Sequence, residues 1–199
     1  MATSTAAPAA VITWKIDPAH TAAEFKVRHM FIANVKGTIK GITGELTEHT
    51  TDASYCGVEA TLEVSTLYTG ELKRDDHLKS EDFLWLETYP DITFKSTKVQ
   101  RKGSDKYAVT GDLTIRGITR PVTLVVKGPT LPQKDPWGNV RIGLSATAKI
   151  SRKDFGLIWN IELESGVALI SDSVHITIDA EFIKGLTLHP HRATGVSTL

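Results

Sequence analysis

Seven histidines and a single cysteine are the side chains of this 199-residue chain best suited to acid–base, metal or nucleophile chemistry. Their spacing argues against most of it. His20 and His29 lie at opposite ends of one alternating segment, and their odd separation puts them on opposite faces of a strand, so one metal ion cannot take both without a sharp bend. Asp75-Asp76-His77 supplies carboxylate and imidazole together, but adjacent residues on a helix point apart, and capping or hydrogen bonding to loop backbone competes for the same groups. His49 falls in a polar turn, His175 on the polar phase of a strand beside Thr177 and Asp179, and His189 and His191 in the aperiodic end, all of which read as surface. Cys56 has no partner for an internal disulfide and sits on a strand-like run, where a small buried thiol is expected. The chain contains no cysteine pair, no H-E-x-x-H helix, no G-x-S-x-G elbow and no phosphate-cradling glycine loop. The expectation is a protein that is not an enzyme and needs no cofactor.

Aromatic residues stand in irregular connections instead. Trp137-Gly138 and Phe155-Gly156-Leu157-Ile158-Trp159 are positioned either to plug one end of the fold or to form a mouth for an apolar ligand. Arg152, Lys153 and Asp154 adjoin the second cluster, and a charge such as that of Arg152 beside Trp159 at such a mouth would meet a polar head group.

The elements that must hold these groups are strands. In Ala23-Glu24-Phe25-Lys26-Val27-Arg28 the apolar residues share one face and the charged ones the other, and the same period of two recurs at Val58 to Val64, Ile92 and Phe94, Tyr107 to Ile115, Val122 to Val126, Ile142 to Ile150 and Val174 to Phe182. Asp17-Pro18 stops a first strand over Val11 to Ile16. Val35 to Glu48 carries Gly37, Gly41 and Gly44, as a bent or bulged strand would. The period changes once, between about Gly70 and Leu86, where one or two short helices are predicted, capped by Thr66 or Thr69. Lys102 to Asp105 and Arg116-Gly117 read as hairpin turns. About eight strands result, which suits an all-β, eight-stranded antiparallel barrel with a lumen, and a two-sheet sandwich competes with it. Glycines within strands favour the barrel, because they bend strands and leave space inside.

Length supports one domain, residues 11–185, between a flexible segment 1–10 and a flexible tail 186–199. Lysine plus arginine equals aspartate plus glutamate at 23 each, interspersed along the chain, so no overall field favours nucleic acid or an anionic membrane, and nucleic acid is not an expected partner. No stretch approaches the roughly 20 apolar residues of a membrane-spanning helix. The opening residues lack the charged and apolar regions of a secretory signal, which points to the cytoplasm, with the periplasm as the alternative if a signal has been removed.

Taken in order, several segments resemble the YceI-like family. They are Trp14-Lys15-Ile16-Asp17-Pro18-Ala19-His20, Phe25-Lys26-Val27-Arg28-His29-Met30, Asp76-His77-Leu78-Lys79-Ser80-Glu81-Asp82-Phe83, Tyr89-Pro90-Asp91-Ile92-Thr93-Phe94-Lys95-Ser96, Gly111 to Val122, and Ser151-Arg152-Lys153-Asp154-Phe155-Gly156-Leu157. The likeness covers about residues 12–184. It implies an extended lipocalin-like barrel that holds a long amphiphile, a polyisoprenoid or isoprenoid quinone, sometimes a fatty acid derivative, in a protein that is often a homodimer and often periplasmic. Leu84-Trp85-Leu86 departs from the family, which commonly has a more polar stretch there. With the inward apolar rows, the resemblance nominates Phe25, Val27, Leu62, Phe94, Val109, Leu113, Leu144 and Ile176 as ligand wall, each equally open to a role as ordinary core. An enzyme acting on such lipids through His20, His29, Asp76 or His77, and a stress-related sequestration protein, are the alternatives carried forward.

Overall fold

The computed structural model describes residues 10–164 and 168–188. Eleven strands, β1 (Val11–Ile16), β2 (Ala22–His29), β3 (Ala33–Ile39), β4 (Ile42–His49), β5 (Gly57–Glu63), β6 (Asp91–Arg101), β7 (Lys106–Ile115), β8 (Ile118–Lys127), β9 (Gln133–Lys134), β10 (Val140–Ser151) and β11 (Ile170–Leu188), form one antiparallel sheet in the order β3-β2-β11-β1-β4-β5-β6-β7-β8-β10-β9. A further pairing of β10 with β11 closes it into an eight-stranded barrel and settles the choice against a sandwich. Eleven strands fill eight positions because two long ones are interrupted. β1 and β2 run in line along β11, and β3 and β4 run in line beside them. The tiny β9 only flanks β10.

The breaks follow from the sequence. Asp17-Pro18 ends β1, and Gly41, at φ 63°, ends the β3 part of the glycine-bearing segment. Gly44, at φ 142°, lets its backbone approach Glu59: a Cβ there would stand 2.0 Å from the Glu59 carbonyl oxygen. Gly37 pairs directly with Phe25, whose ring lies over it, and a Cβ would come within 2.3 Å of that ring. The glycine gives the phenylalanine room to lie along the wall.

Two ends can be told apart by their connections. One carries the turn 30–32, the long excursion 64–90, the turn 116–117 and the connection 152–169; the other carries 50–56, 102–105 and 128–139. The excursion contains the one α-helix among the described residues, α1 (Leu72–Lys79), so this end is called the helix end. Glu71 caps α1 by accepting from the Lys73 N–H at 3.0 Å, and Ser80 closes it by donating to the His77 carbonyl at 2.8 Å. The threonines predicted as caps do other work: Thr66 bridges Lys40 and Glu63, and Thr69 bonds the buried Asp75. β11 runs to Leu188, paired with Val11, beyond the boundary expected at 185, because β1 continues to offer it ladder partners. His189, His191 and the remainder of the expected tail, like residues 1–9 of the expected leading segment, lie outside the described residues.

Replacing Gly44 with alanine should lower stability by roughly 1–3 kcal/mol, since overpacking meets fixed backbone and a left-handed φ together. Urea unfolding checks this; an unchanged midpoint would show that β4 and β5 do not need the close approach.

Candidate functional site: a lumen through the barrel

The inward phases of the strands leave a central cavity of about 690 Å³, bordered by residues from one end of the barrel to the other. Its volume is in the range of small-molecule sites. Phe25, Val27, Leu62, Phe94, Val109, Leu113, Leu144 and Ile176 all stand on its wall. Phe94, Val109 and Leu113 also belong to the main buried cluster, so wall and core are one set of side chains there. Ile39, Leu84, Ala146 and Ile178 join them unpredicted. Ala146 and Ile178 share the phase of Leu144 and Ile176, so the period of two contained them. Leu84 gave no periodic signal, because the excursion after α1 folds back by irregular turns, with the Leu84 N–H on the Leu78 carbonyl at 3.1 Å.

Polar groups gather at the ends. At the helix end Trp159 packs edge-on against His77, with ring centres 4.6 Å apart, and lies 5.3 Å from Phe83. His77 Nε2 meets Asp82 Oδ2 at 2.9 Å. Asp75, buried on the inner side of α1, accepts from the Thr69 N–H and hydroxyl at 2.8 and 2.5 Å, while Arg74 donates to the Thr69 hydroxyl and carbonyl. The sequence neighbours Asp75 and His77 therefore work separately. Trp85, at φ 53°, packs 5.7 Å from Tyr89 and under the Arg116 guanidinium at 5.5 Å, which fastens the unusually apolar Leu84-Trp85-Leu86 stretch to the β7–β8 turn.

Arg152 lines the lumen but is only 3 % exposed, and its donors are committed. Nε donates to the Ser171 carbonyl at 3.1 Å, Nη1 to the carbonyls of Leu157 and Trp159, and Nη2 reaches Ile170 and Asp172. Burial pulls its pKa down and the Asp172 carboxylate offsets that. Arg152, expected beside a mouth, does border the lumen, and its guanidinium ties the connection after β10 to the start of β11 through the carbonyls of Leu157, Trp159 and Ser171. The expectation for Trp137 is corrected. It is 82 % exposed at the tip of a turn organised by Asp135, neither plug nor mouth.

At the opposite end Cys56 borders the cavity, and its sulfur accepts from the His49 N–H at 3.4 Å. Burial raises its thiol pKa.

One cluster escaped sequence reasoning. On the outside of the barrel, where β1 gives way to β2, Arg141 donates through Nη1 to Asp17 at 2.6 Å and Glu181 at 2.5 Å, and through Nε to Asp135 at 2.7 Å. His20 Nδ1 lies 3.0 Å from Asp17. Asp17, His20 and Glu181 have the spacing of metal ligands, but the guanidinium already occupies the cationic position between the two carboxylates. Hydrogen bonds from His20 and then Arg141 hold the Asp17 carboxyl down at about 2, against the opposing effect of burial. His29 lies at the far end of β2 from this cluster. No periodic signal joins these positions: the register of β10 on β11 sets Arg141 beside Glu181, the turn after β1 brings Asp17, and the turn between β9 and β10 brings Asp135.

The architecture is that of an eight-stranded antiparallel β-barrel with an open lumen. The chain belongs to the YceI family: the YceI-like domain model matches residues 14–182. Protein YceI of Escherichia coli O157:H7 is 36 % identical over 182 residues, which cover 90 % of this chain and 91 % of that protein. Among solved structures, Burkholderia cenocepacia BcnA superposes with a TM-score of 0.69 at 21 % identity, covering 83 % of this chain and 98 % of its own. A domain of Saccharophagus degradans described as polyisoprenoid-binding superposes with a TM-score of 0.62 at 14 % identity, covering 86 % and 98 %. At those identities the two structures speak for the fold.

Two outcomes are expected. Arg152→Ala should lower unfolding free energy by roughly 2–4 kcal/mol, because several buried carbonyls lose their donor at once; a variant as stable as the parent in urea would return Arg152 to the role of a head-group contact. Asp17, with a folded pKa near 2 against an ordinary 3.8, contributes stability that is complete above about pH 4 and lost as pH falls towards 2. Asp17→Asn should therefore be less stable at pH 7 and flatten the decline between pH 4 and 2, as followed by denaturation midpoints.

Proposed function

We propose that this protein binds and carries or stores a long-chain amphiphile, a polyisoprenoid or isoprenoid quinone, inside its barrel. The observation that carries the reading is the lumen itself: a cavity reaching from end to end of the barrel, lined for the most part by apolar side chains. β10, at 12 residues, sets a barrel length of roughly 30 Å after tilt, so an extended chain fits lengthwise. Each buried methylene contributes about 0.8 kcal/mol, and a chain of a dozen or more outweighs the several kcal/mol that ordering costs. The polyisoprenoid-binding description of the Saccharophagus domain supports the ligand class.

Family and neighbours favour binding over catalysis. The arrangement nearest to catalytic chemistry is the His77–Asp82 pair beside the lumen. Among the described residues, no hydroxyl or thiol is hydrogen-bonded to that imidazole, and the nearby Ser80 hydroxyl is directed to the His77 carbonyl. The pair instead orients a ring that Trp159 and Phe83 pack against.

Organic extraction of the purified protein with mass spectrometry should yield a prenyl chain, and added prenyl quinone should quench the fluorescence of Trp159. Leu144→Trp, which thrusts an indole into the middle of the lumen, should weaken quinone uptake at least tenfold while circular dichroism stays unchanged. Full uptake by that variant, or no uptake by the parent, would defeat the proposal.

A further inference from the structure

The turn joining β2 and β3 contradicts the ordinary chemistry of turns. Met30 and Phe31 adopt φ 51° and 57°, with the Ile32 N–H closing on the His29 carbonyl at 3.0 Å. Two successive left-handed residues are the conformation for which Asn-Gly is favoured and bulky side chains are disfavoured. The side chains so displayed do not fold back onto the barrel: Met30, Phe31 and Ile32 are 38, 57 and 76 % exposed. Backbone strain and exposed apolar area both work against stability here, which is the signature of a segment kept for contact with something else. Arg28 reinforces the shape by donating through Nε and Nη2 to the Phe31 carbonyl at 3.1 and 2.9 Å.

The tip is not isolated. The Met30 N–H bonds the Leu169 carbonyl at 2.7 Å and the Leu169 N–H bonds the Ile161 carbonyl at 2.8 Å, which brings Ile161, 50 % exposed, into the same apolar surface. Leu169 also borders the lumen, so this surface adjoins the helix-end mouth.

The outer wall above the tip carries the second observation. Register places Lys36 opposite Lys26, Lys26 opposite His175, and His175 opposite Lys149, a row of basic residues across β3, β2, β11 and β10. All four are exposed, and among the described residues none of the three lysines forms an ion pair. Like charges directly opposite on neighbouring strands are unfavourable, and a chain with no net charge has no general reason to collect them on one face. Asp172, the carboxylate at the tip end of β11, is taken up by Lys153 and Arg152. With strands about 4.8 Å apart the row spans roughly 14 Å, and it stands about 13 Å up the strands from the tip. Lysine side chains reach part of that distance, and the remainder is close to one Debye length.

We propose that this hairpin docks the barrel on an anionic phospholipid surface. Met30, Phe31 and Ile32 enter the boundary between head groups and acyl chains, and Lys26, Lys36 and Lys149 face the anionic head groups. Apolar insertion beside basic residues is the combination that holds proteins at such interfaces, and the charge complementarity selects a membrane over an apolar protein groove as the occupant. The inference does not depend on what fills the lumen.

The test is flotation of the full chain with vesicles of phosphatidylcholine alone and with 30 % phosphatidylglycerol added, at low and high salt, alongside Met30→Asn/Phe31→Gly and Lys26→Gln/Lys36→Gln/Lys149→Gln. The parent should float with the anionic vesicles, and less so at high salt. The Asn-Gly variant, whose turn suits its backbone better, should be at least as heat-stable yet bind at least tenfold more weakly. The lysine variant should also bind several-fold more weakly, since a charge at such a surface is worth roughly fivefold in partition and about a third of that free energy survives one Debye length away. Prenyl quinone uptake, measured in parallel, should be unchanged in both variants, which separates failure of docking from failure of the lumen reading. Equal binding to neutral vesicles, absence of vesicle binding, or undiminished flotation of the Asn-Gly variant would overturn the proposal.

Discussion

Closure of the sheet through β11 is the constraint on which the rest of the molecule depends. One edge of this strand pairs continuously with β10, from Ser173 opposite Ser151 to Ile183 opposite Arg141. The other edge must change partners, from β2 to β1, between Asp179 and Phe182. A barrel has no free edge only if that change leaves no ladder group unpaired. The turn after β1 supplies what is needed: the Asp17 N–H and the Thr21 hydroxyl donate to the Glu181 carbonyl, and the Glu181 N–H donates back to Thr21. Outside the same point, Arg141 gathers the carboxylates of Asp17, Glu181 and Asp135. The charged cluster is thus a clasp at the seam, and the lumen exists because the seam holds.

A second arginine solves a related problem at the helix end. The connection between β10 and β11 leaves the ladder, so the carbonyls of Leu157 and Trp159 there, with that of Ser171 at the start of β11, take a donor from a side chain. Arg152 gives them a fixed fork of donors. Both arginines were visible as residues and neither role was. Arg152 could be placed beside the aromatic residues of a mouth, but its carbonyl partners could not be seen, because sequence shows which side chains are near in the chain and not which carbonyls converge on them. For Arg141 the nearby Asp135 was visible, but Asp17 and Glu181 are far away in sequence and reach it only through the closure of the sheet.

What was legible follows the same division. Alternation marks the inward face of any strand without reference to its partners, so the wall residues from Phe25 to Ile176 could be named in advance and do lie along the lumen. Turn chemistry was equally local: Arg116-Gly117 sits at φ 50° and 70° in the tight turn expected there. Local reading failed where a longer-range contact decided the outcome. Thr69 has a good capping side chain, yet the buried carboxylate of Asp75 claims it, and the adjacent Glu71 caps α1 in its place. The three hydrophobic residues of the β2–β3 turn passed without notice because nothing in a period of two assigns a value to the residues between strands.

An open lumen also bears on how the fold spends its apolar residues. A barrel of this size can be filled by its own side chains, and filling it would add buried contacts. Here the space is kept open by particular choices. Gly37 makes a recess for the Phe25 ring, Gly111 does the same for Phe94, and Ala146 stands where a larger residue would narrow the bore. Each choice gives up packing that the empty protein could have had. The lost contacts must then be recovered elsewhere, and the structure shows where: in the clasp at Arg141, in the carbonyl bundle around Arg152, and in the aromatic cluster of His77, Phe83 and Trp159. Polar and aromatic fastening is concentrated at the seam and the helix end while the middle is left apolar. That distribution keeps the wall of the lumen largely apolar and places the fixed contacts at the seam and the helix end.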